Sequence, residues 1–332
     1  NANADGNGHG SFAYAPPSGY LALCSQNMPD VEIIDGTDNF NTAIWTGNNA
    51  NNRAIAVGFQ PDFSWTQTRT QYGNGSELFD SVRGAGKSLK SETNAAEVTN
   101  KSSGYIGAFT STGFTTADGS SSNASINYND GGGQSYVAWN WKAGGTASSN
   151  SDGSITSSVS ANTGAGFSIV SWTGTGSNAT VGHGLGVAPS LIINKPRAIA
   201  DNWISWAAKL GTTGYIYLNL NNAAATGAAV WNSTVPTTSV FSVGTSSNAN
   251  PSSGTMISYC FANIEGYSKV GSYTGNGNND GPFVFTGFRP AFILVKDTSV
   301  GNGWRIADNK RPADFNVINE SLSPSSAATA ST

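Results

Sequence analysis

The chain has 332 residues and a formal net charge of −4, and only 11% of its residues are charged, against roughly 25% in a typical soluble domain. No Lys/Arg cluster offers the phosphate-facing footprint that a nucleic-acid partner needs, and no apolar run approaches the roughly 20 residues of a membrane-spanning helix. An aromatic fraction of 11% still suffices for a core, so the low charge reads as the polar neutral surface of an extracellular β-protein rather than as disorder.

Residues 1–10 (NANADGNGHG) are turn-rich. FAYA, a Pro16-Pro17 break and YLALC then predict two short strands without partners nearby in sequence, the end of a preceding β-domain. With a connector from Asp30 onward, this segment takes in residues 1–40. Cys24 and Cys260 are the only cysteines, each in an apolar run, and read as buried free thiols rather than a disulfide.

A first domain-sized copy occupies 41–145. Phe63, Trp65 and Gln67 alternate with Ser64, Thr66 and Thr68, the period-2 pattern of a half-buried strand. Further on, Val137, Trp139 and Trp141 share one face while Ala138 and Asn140 take the other. Large aromatics on one face fit the inward side of a sandwich. Residues 146–165, rich in Gly, Ser and Asn, read as a flexible linker or long loop.

A second copy occupies 166–268. Its run SWTGTGSNATVGHGLGVAPSLIINK (171–195) is matched by SYTGNGNNDGPFVFTGFRPAFILVK (272–296) and, more loosely, by IWTGNNANNRAIAVGFQPDFSWTQ (44–67). Trp172 to Tyr273 and Pro189 to Pro290 are both 101 residues, and Pro61 to Pro189 is 128, as is Asn94-Ala95-Ala96 to Asn222-Ala223-Ala224. Such a period marks tandem domains rather than a solenoid. Ile257, Tyr259 and Phe261 repeat the Val137, Trp139, Trp141 face, GYIYLNLN (214–221) alternates as a strand, and Gly227 argues that Ala223–Val230 is a loop. With turns every 8–12 positions, the pattern predicts an all-β fold of tandem antiparallel β-sandwich modules.

The third copy, 269–332, is incomplete, because the counterparts of Phe241 and of Ile257–Phe261 fall beyond residue 332. A sandwich without its closing strands exposes edges. The expectation is a fragment of a longer chain, or a second chain that supplies those strands.

Candidate chemistry is sparse. His183 in VGHGLGV lacks an orienting acid, and the third copy has no histidine there, so a structural turn histidine is the simpler reading. Glu77, Asp80, Asp201 and Glu265 share no motif that would pair two carboxylates across a cleft. Asp5, Asp35, Asp38 and Asp280 sit in Gly/Asn-rich loops without the ligand spacing of a calcium loop. Neither a metal nor a cofactor is therefore expected, and no catalytic residue is assigned. Trp45, Trp172, Tyr273 and the Trp203/Trp206 pair could instead form sugar-stacking platforms. The best such set is Trp172, Asn178, His183, Asp201 and Trp203. The competing reading places these aromatics in the repeated core.

GHGLGVAPSLIINK, the later DNW, SVFSVG and ISYCFANIEGYSKVGSYTGNG resemble repeated modules of tail-fibre and other virion appendage proteins of tailed, often marine, bacteriophages. GSFAYAPPSGYLALCSQNMP resembles the closing strands of the SPRY or concanavalin-like sandwich that often precedes them. The resemblance implies concanavalin or jelly-roll-like sandwiches and a non-catalytic virion structural protein on the particle surface. It also implies virion proteins as partners, a homo-oligomer with a trimer favoured, and attachment to a host-surface glycan. The alternatives are a capsid-decorating or spacer protein that binds only other virion subunits and, further off, a polysaccharide depolymerase.

Overall fold

Alternation commits each strand to two faces, and the partners of those faces decide what is buried. In a computed structural model, residues 2–27, 33–70, 75–121, 128–311 and 320–326 are described. The chain divides into two units, Asn1–Ile34 and Asp35–Thr332.

The first unit does not form the two strands expected of FAYA and YLALC. Among its described residues it holds one bridge, Asn3 to Phe12, and a 3-10 turn at Ser25–Asn27. Its polar centre is the Asp5 carboxylate, which accepts from the backbone N–H of Asn7, His9 and Ala22 and from Asn27 Nδ2. Tyr14 and Leu23 are 87% and 100% exposed, so nothing within this unit covers the alternating apolar residues and they form no ladder. Cys24 is half-buried and unpaired rather than fully buried, whereas Cys260 is buried and free. Residues 28–32 of the expected connector lie outside the described residues.

The second unit is all-β, built of antiparallel sheets. Its first part contains β1 (Phe40–Thr46), β2 (Ala54–Ala56), β3 (Phe63–Thr68), β4 (Glu77–Asp80), β5 (Lys87–Lys90), β6 (Val98–Thr99), β7 (Tyr105–Thr110), β8 (Gly113–Ala117) and β9 (Ser135–Trp141). Then come β10 (Ser148–Asn150), β11 (Ser157–Asn162), β12 (Phe167–Thr173), β13 (Ala179–Gly182), β14 (Leu191–Pro196), β15 (Ile204–Ala207), β16 (Gly214–Tyr217) and β17 (Ala225–Thr226). A one-turn helix α1 (Ala228–Trp231) precedes β18 (Val240–Val243), β19 (Thr255–Phe261), β20 (Phe292–Val295) and β21 (Arg305–Asp308).

One sheet runs β1-β9-β3-β4-β5-β6, and the other runs β10-β11-β12-β19-β14-β15-β16-β17. Without its first two strands the second has the same order as the first. Register agrees as well. Phe63 pairs with Trp141 and Asp80, Leu191 pairs with Phe261 and Ala207, and Phe292 pairs with Asp308. The hairpin β20-β21 thus repeats β14-β15, with no third strand beside it among the described residues.

Three expectations change. Residues 146–165 are not a free linker, because β10 and β11 extend the sheet beyond β12. Backbone amides pair whatever the side chain, and the edge of β12 needed partners. The strand read through Leu220 ends at Tyr217; beyond it Leu218 N donates to Trp203 O, and the Asn219 side chain accepts from Trp203 N. Ala223–Val230 contains β17 and the start of α1 rather than only loop.

Three cores follow from the two faces. On one side of the first sheet, Trp45, Phe79, Tyr136 and Ala138 pack with Ile55 of β2 and with Ile106 and Phe114 of β7-β8. On the matching side of the second sheet, Trp172, Ile192, Trp206 and Cys260 pack with Val181 and Phe241 of the β13-β18 pair. The aromatic faces singled out in the sequence turn the other way. Phe63, Trp65, Trp139 and Trp141 of the first copy join Phe167, Ile193, Trp203 and Tyr259 of the second and Trp304 and Ile306 of the third in one core. Ring centroids of Phe63 and Tyr259 are 4.3 Å apart, and those of Trp141 and Phe292 are 5.2 Å apart. Aromatic contacts of this kind add to the burial itself.

Polar contacts around this shared core recur. Trp203 Nε1 donates to Lys90 O at 2.8 Å, and Trp304 Nε1 donates to Tyr217 O at 2.8 Å. Lys195 Nζ donates to Asn94 O and Lys296 Nζ to Asn221 O, both at 3.4 Å. Glu97 N donates to Arg197 O, and Ala224 N to Thr298 O. The second copy therefore meets the first as the third meets the second, a head-to-tail interface. The third also touches the first: Glu320 pairs with Arg69 at 3.1 Å, and Ser91 Oγ donates to Pro324 O at 2.7 Å. These contacts set Asn94 opposite Asn221, one residue off the 128-residue alignment, so the second copy is one residue shorter between β3 and β5.

Candidate functional site

The strongest electrostatics lie where copies meet. A strand that ends in Asp with Arg three residues later brings the guanidinium back onto the carboxylate. Asp80 and Arg83 form such a pair, both fully buried. Arg83 also donates to Leu78 O and reaches Glu97 at 3.1 Å, and Arg197 clamps Glu97 with two bonds of 2.9 Å. Tyr259 Oη donates to Asp80 Oδ2 at 2.8 Å, so a second-copy side chain completes the first-copy pair. Burial works against the Arg83 charge, but Asp80, Tyr259 and Glu97 outweigh it and hold its pKa above the usual value. Burial raises the Tyr259 phenol well above its ordinary range, which keeps it a donor.

Asp308 and Arg311 repeat the pair in the third copy, fully buried. There the partner is Trp139 of the first copy, whose Nε1 donates to Asp308 Oδ2 at 2.8 Å, with the guanidinium 5.5 Å from the ring centroid. Trp139 and Tyr259 occupy the same register position in β9 and β19. The equivalent second-copy pair is Ala207 and Leu210, which carries no charge. The sequence did hold a signal for these residues: Asp-Ser-Val-Arg at 80–83 and Asp-Asn-Lys-Arg at 308–311 stand at equivalent places. The repeated Asp-x-x-Arg spacing points to structural ion pairs rather than to a catalytic carboxylate pair.

Every carboxylate of these clusters is engaged by a cation or a structural donor. Glu77 pairs with Lys101 and accepts from Tyr128 Oη. No group of three or more His, Cys, Asp or Glu is placed to hold a metal ion among the described residues. In the loops considered for calcium, the Asp5 oxygens face N–H donors, and Asp35 accepts from the Thr37 N–H and hydroxyl.

The five residues expected to form a sugar site do not come together. Trp172 is 4% exposed in the second-copy core and donates to Ser258 Oγ. Trp203 is fully buried on the opposite face of the sheet, in the shared core. His183 is also fully buried: Nε2 lies 3.1 Å from Thr237 O, and Nδ1 accepts from Leu185 N. That arrangement fixes one neutral tautomer, and burial lowers its pKa. Gly184 and Gly186 flank Leu185 with φ of 70° and 73°, so the Gly-x-Gly pattern builds the turn that closes on His183. Asn178 is exposed, and Asp201 is half-buried beside Asn202. Trp172 is one wall of a shallow hollow of about 350 Å³ that Ser149, Ser158, Ser171, Thr173 and Thr255 also line. Arg197 donates to Ser171 Oγ at its rim.

Residues 35–332 match the model of the family described as "Domain of unknown function (DUF7483)". No curated protein and no solved structure matches the chain.

Proposed function

From the premise that this chain belongs to the DUF7483 family, we propose that it is a non-catalytic structural protein of a virion, a tail fibre or surface appendage on the outside of the particle. The observation that carries the reading is the shared core: three sequence copies interlock head to tail around buried aromatics and ion pairs, a construction suited to a rigid element. The sequence resemblance to tail-fibre modules and the low charge support it. Each large sheet with its smaller partner sheet is read as a β-sandwich of concanavalin or jelly-roll type, and residues 1–40 as the end of a preceding sandwich plus a connector. The partners are other virion proteins. The expected homo-oligomer is a trimer of three-copy chains, which sedimentation would register at three times 34.1 kDa.

Attachment to a host glycan is the second part of the reading. The surface for it is the Ser- and Thr-lined hollow beside Trp172 rather than a stacked-tryptophan platform. Repetition along an appendage would turn weak contacts into avidity. Antibodies raised against the protein should decorate intact particles in immunogold images, and unlabelled particles would overturn the virion assignment. A glycan array probed with the protein should give hits that Ser158→Trp abolishes. A blank array would favour the spacer reading, which the burial of Trp172, His183 and Trp203 already favours over any site built from them.

A further inference from the structure

Strands β10 and β11 have no counterpart in the first copy. Among the described residues the first sheet ends at β1, where Ile44 pairs with Val137 and is 37% exposed. At the equivalent position of the second copy stands Ser171, paired with Ile257. The two added strands continue its row, for Ser171 lies opposite Ser158, and Ser158 opposite Ser149. Residues directly opposite one another share a face of an antiparallel sheet, about 5 Å apart. Three neighbouring strands therefore carry three serines side by side. Thr173 and Thr255, themselves a cross-strand pair, set a second row two residues further along β12. All five line the hollow beside Trp172.

Resting on the reading of this hollow as a glycan site, we propose that it takes a neutral sugar, a hexose or its polymer, and discriminates against uronic, sialic and sulfated residues. Among the described residues, the hydroxyls of Ser149, Thr156, Ser158, Thr173 and Thr255 make no hydrogen bond, so they are available to a ligand. A hydroxyl both donates and accepts, as does each hydroxyl of a hexose, so the two surfaces match whichever way their protons turn. Charge finds no such match. None of the described residues that line the hollow is charged. The guanidinium at its rim, Arg197, commits Nε and Nη2 to Glu97 at 2.9 Å each and reaches Ser171 Oγ with Nη1 at 3.4 Å. A carboxylate or sulfate placed there would lose part of its water without gaining a free cation, and would stand near Glu97. The indole of Trp172 is 4% exposed and bonded through Nε1 to Ser258, so it adds an apolar wall rather than a stacking face.

The test uses the whole protein and polysaccharides matched in backbone but not in charge: dextran against dextran sulfate, galactan against polygalacturonate, and mannan against polymannuronate. Binding is followed by titration calorimetry at low and high salt. The expected result is saturable binding of at least one neutral polymer, unchanged by salt, and binding of its charged partner weaker by about tenfold or more. Ser158→Arg puts a guanidinium in the middle of the serine row, at an exposed position. It should weaken the neutral polymer and bring the charged one to equal or tighter binding. Ser149→Arg, on the outer strand β10, gives the same readout where Ser158→Arg does not fold. Charged polymers bound by the wild-type protein as tightly as their neutral partners overturn this inference and leave the glycan reading standing. A neutral polymer whose binding both arginine variants leave untouched sits elsewhere, which also overturns it. No binding of any polymer overturns the glycan reading, and this inference with it.

Discussion

The first and second copies build one strand order from different side chains. At equivalent inward positions, Trp65 answers Ile193, Trp139 answers Tyr259, and the Asp80/Arg83 pair answers Ala207/Leu210. What they share is alternation and register; what differs is set by the neighbour each copy meets. Asp80 and Arg83 exist opposite a tyrosine hydroxyl, and Asp308 and Arg311 opposite an indole N–H, so the buried charges belong to interfaces rather than to the sheet that carries them. The third copy sharpens the point. Its hairpin keeps the same register, yet Ile293 and Tyr273 are more exposed than their counterparts Ile192 and Trp172.

The largest expected effect breaks the charged side of this comparison. Asp80→Ala strands Arg83 in the core and should cost about 3–5 kcal/mol in urea unfolding. Asp80→Ala with Arg83→Leu, which copies the second-copy residues, should recover most of that loss. If the double variant is as unstable as the single one, the pair does not act as a unit.

Next is Lys195, whose ammonium is buried under three carbonyls, from Asn94, Pro196 and Ile199. Burial, opposed by Asp201, brings its pKa down from 10.5 to about 8. The native state then gives up this proton before the unfolded chain does. Stability should rise with pH between about 8 and 10.5, by roughly 3 kcal/mol relative to Lys195→Met. Parallel pH profiles of the two proteins would refute the burial of this charge.

A smaller loss compares the two interface donors directly. Tyr259→Phe removes a bond to a buried carboxylate and should cost about 1.5–3 kcal/mol; Trp139→Phe removes the matching bond and also leaves a cavity, so it should cost more. A loss at only one of the two sites would separate the interfaces.

The smallest effect concerns His183. Its folded pKa lies below 6.5, so the unfolded chain takes up the proton first on acidification. Stability should fall as pH drops below about 6.5, and His183→Gln should flatten that part of the profile.

Much of this was legible along the chain. Alternation at Phe63–Thr68 and at Val137–Trp141 located strands, and the recurring aromatic-Thr-Gly and proline landmarks located copies. The candidate site was not legible, because the aromatic-plus-polar composition that suggests a sugar platform at Trp172, His183 and Trp203 is also the composition of a core whose donors are satisfied internally. The Ser-rich run at 146–165 misled for a related reason: strand pairing uses the backbone, which composition does not report.

By itself the sequence determined the all-β class, the tandem repeat and the face on which each copy places its large aromatics. Only the tertiary structure decided where that face points. The aromatics turn away from each copy's own small sheet and into a core shared with residues more than a hundred positions away. Period 2 assigns a side chain to one of two faces, but what covers each face depends on surfaces that meet only once the chain has folded.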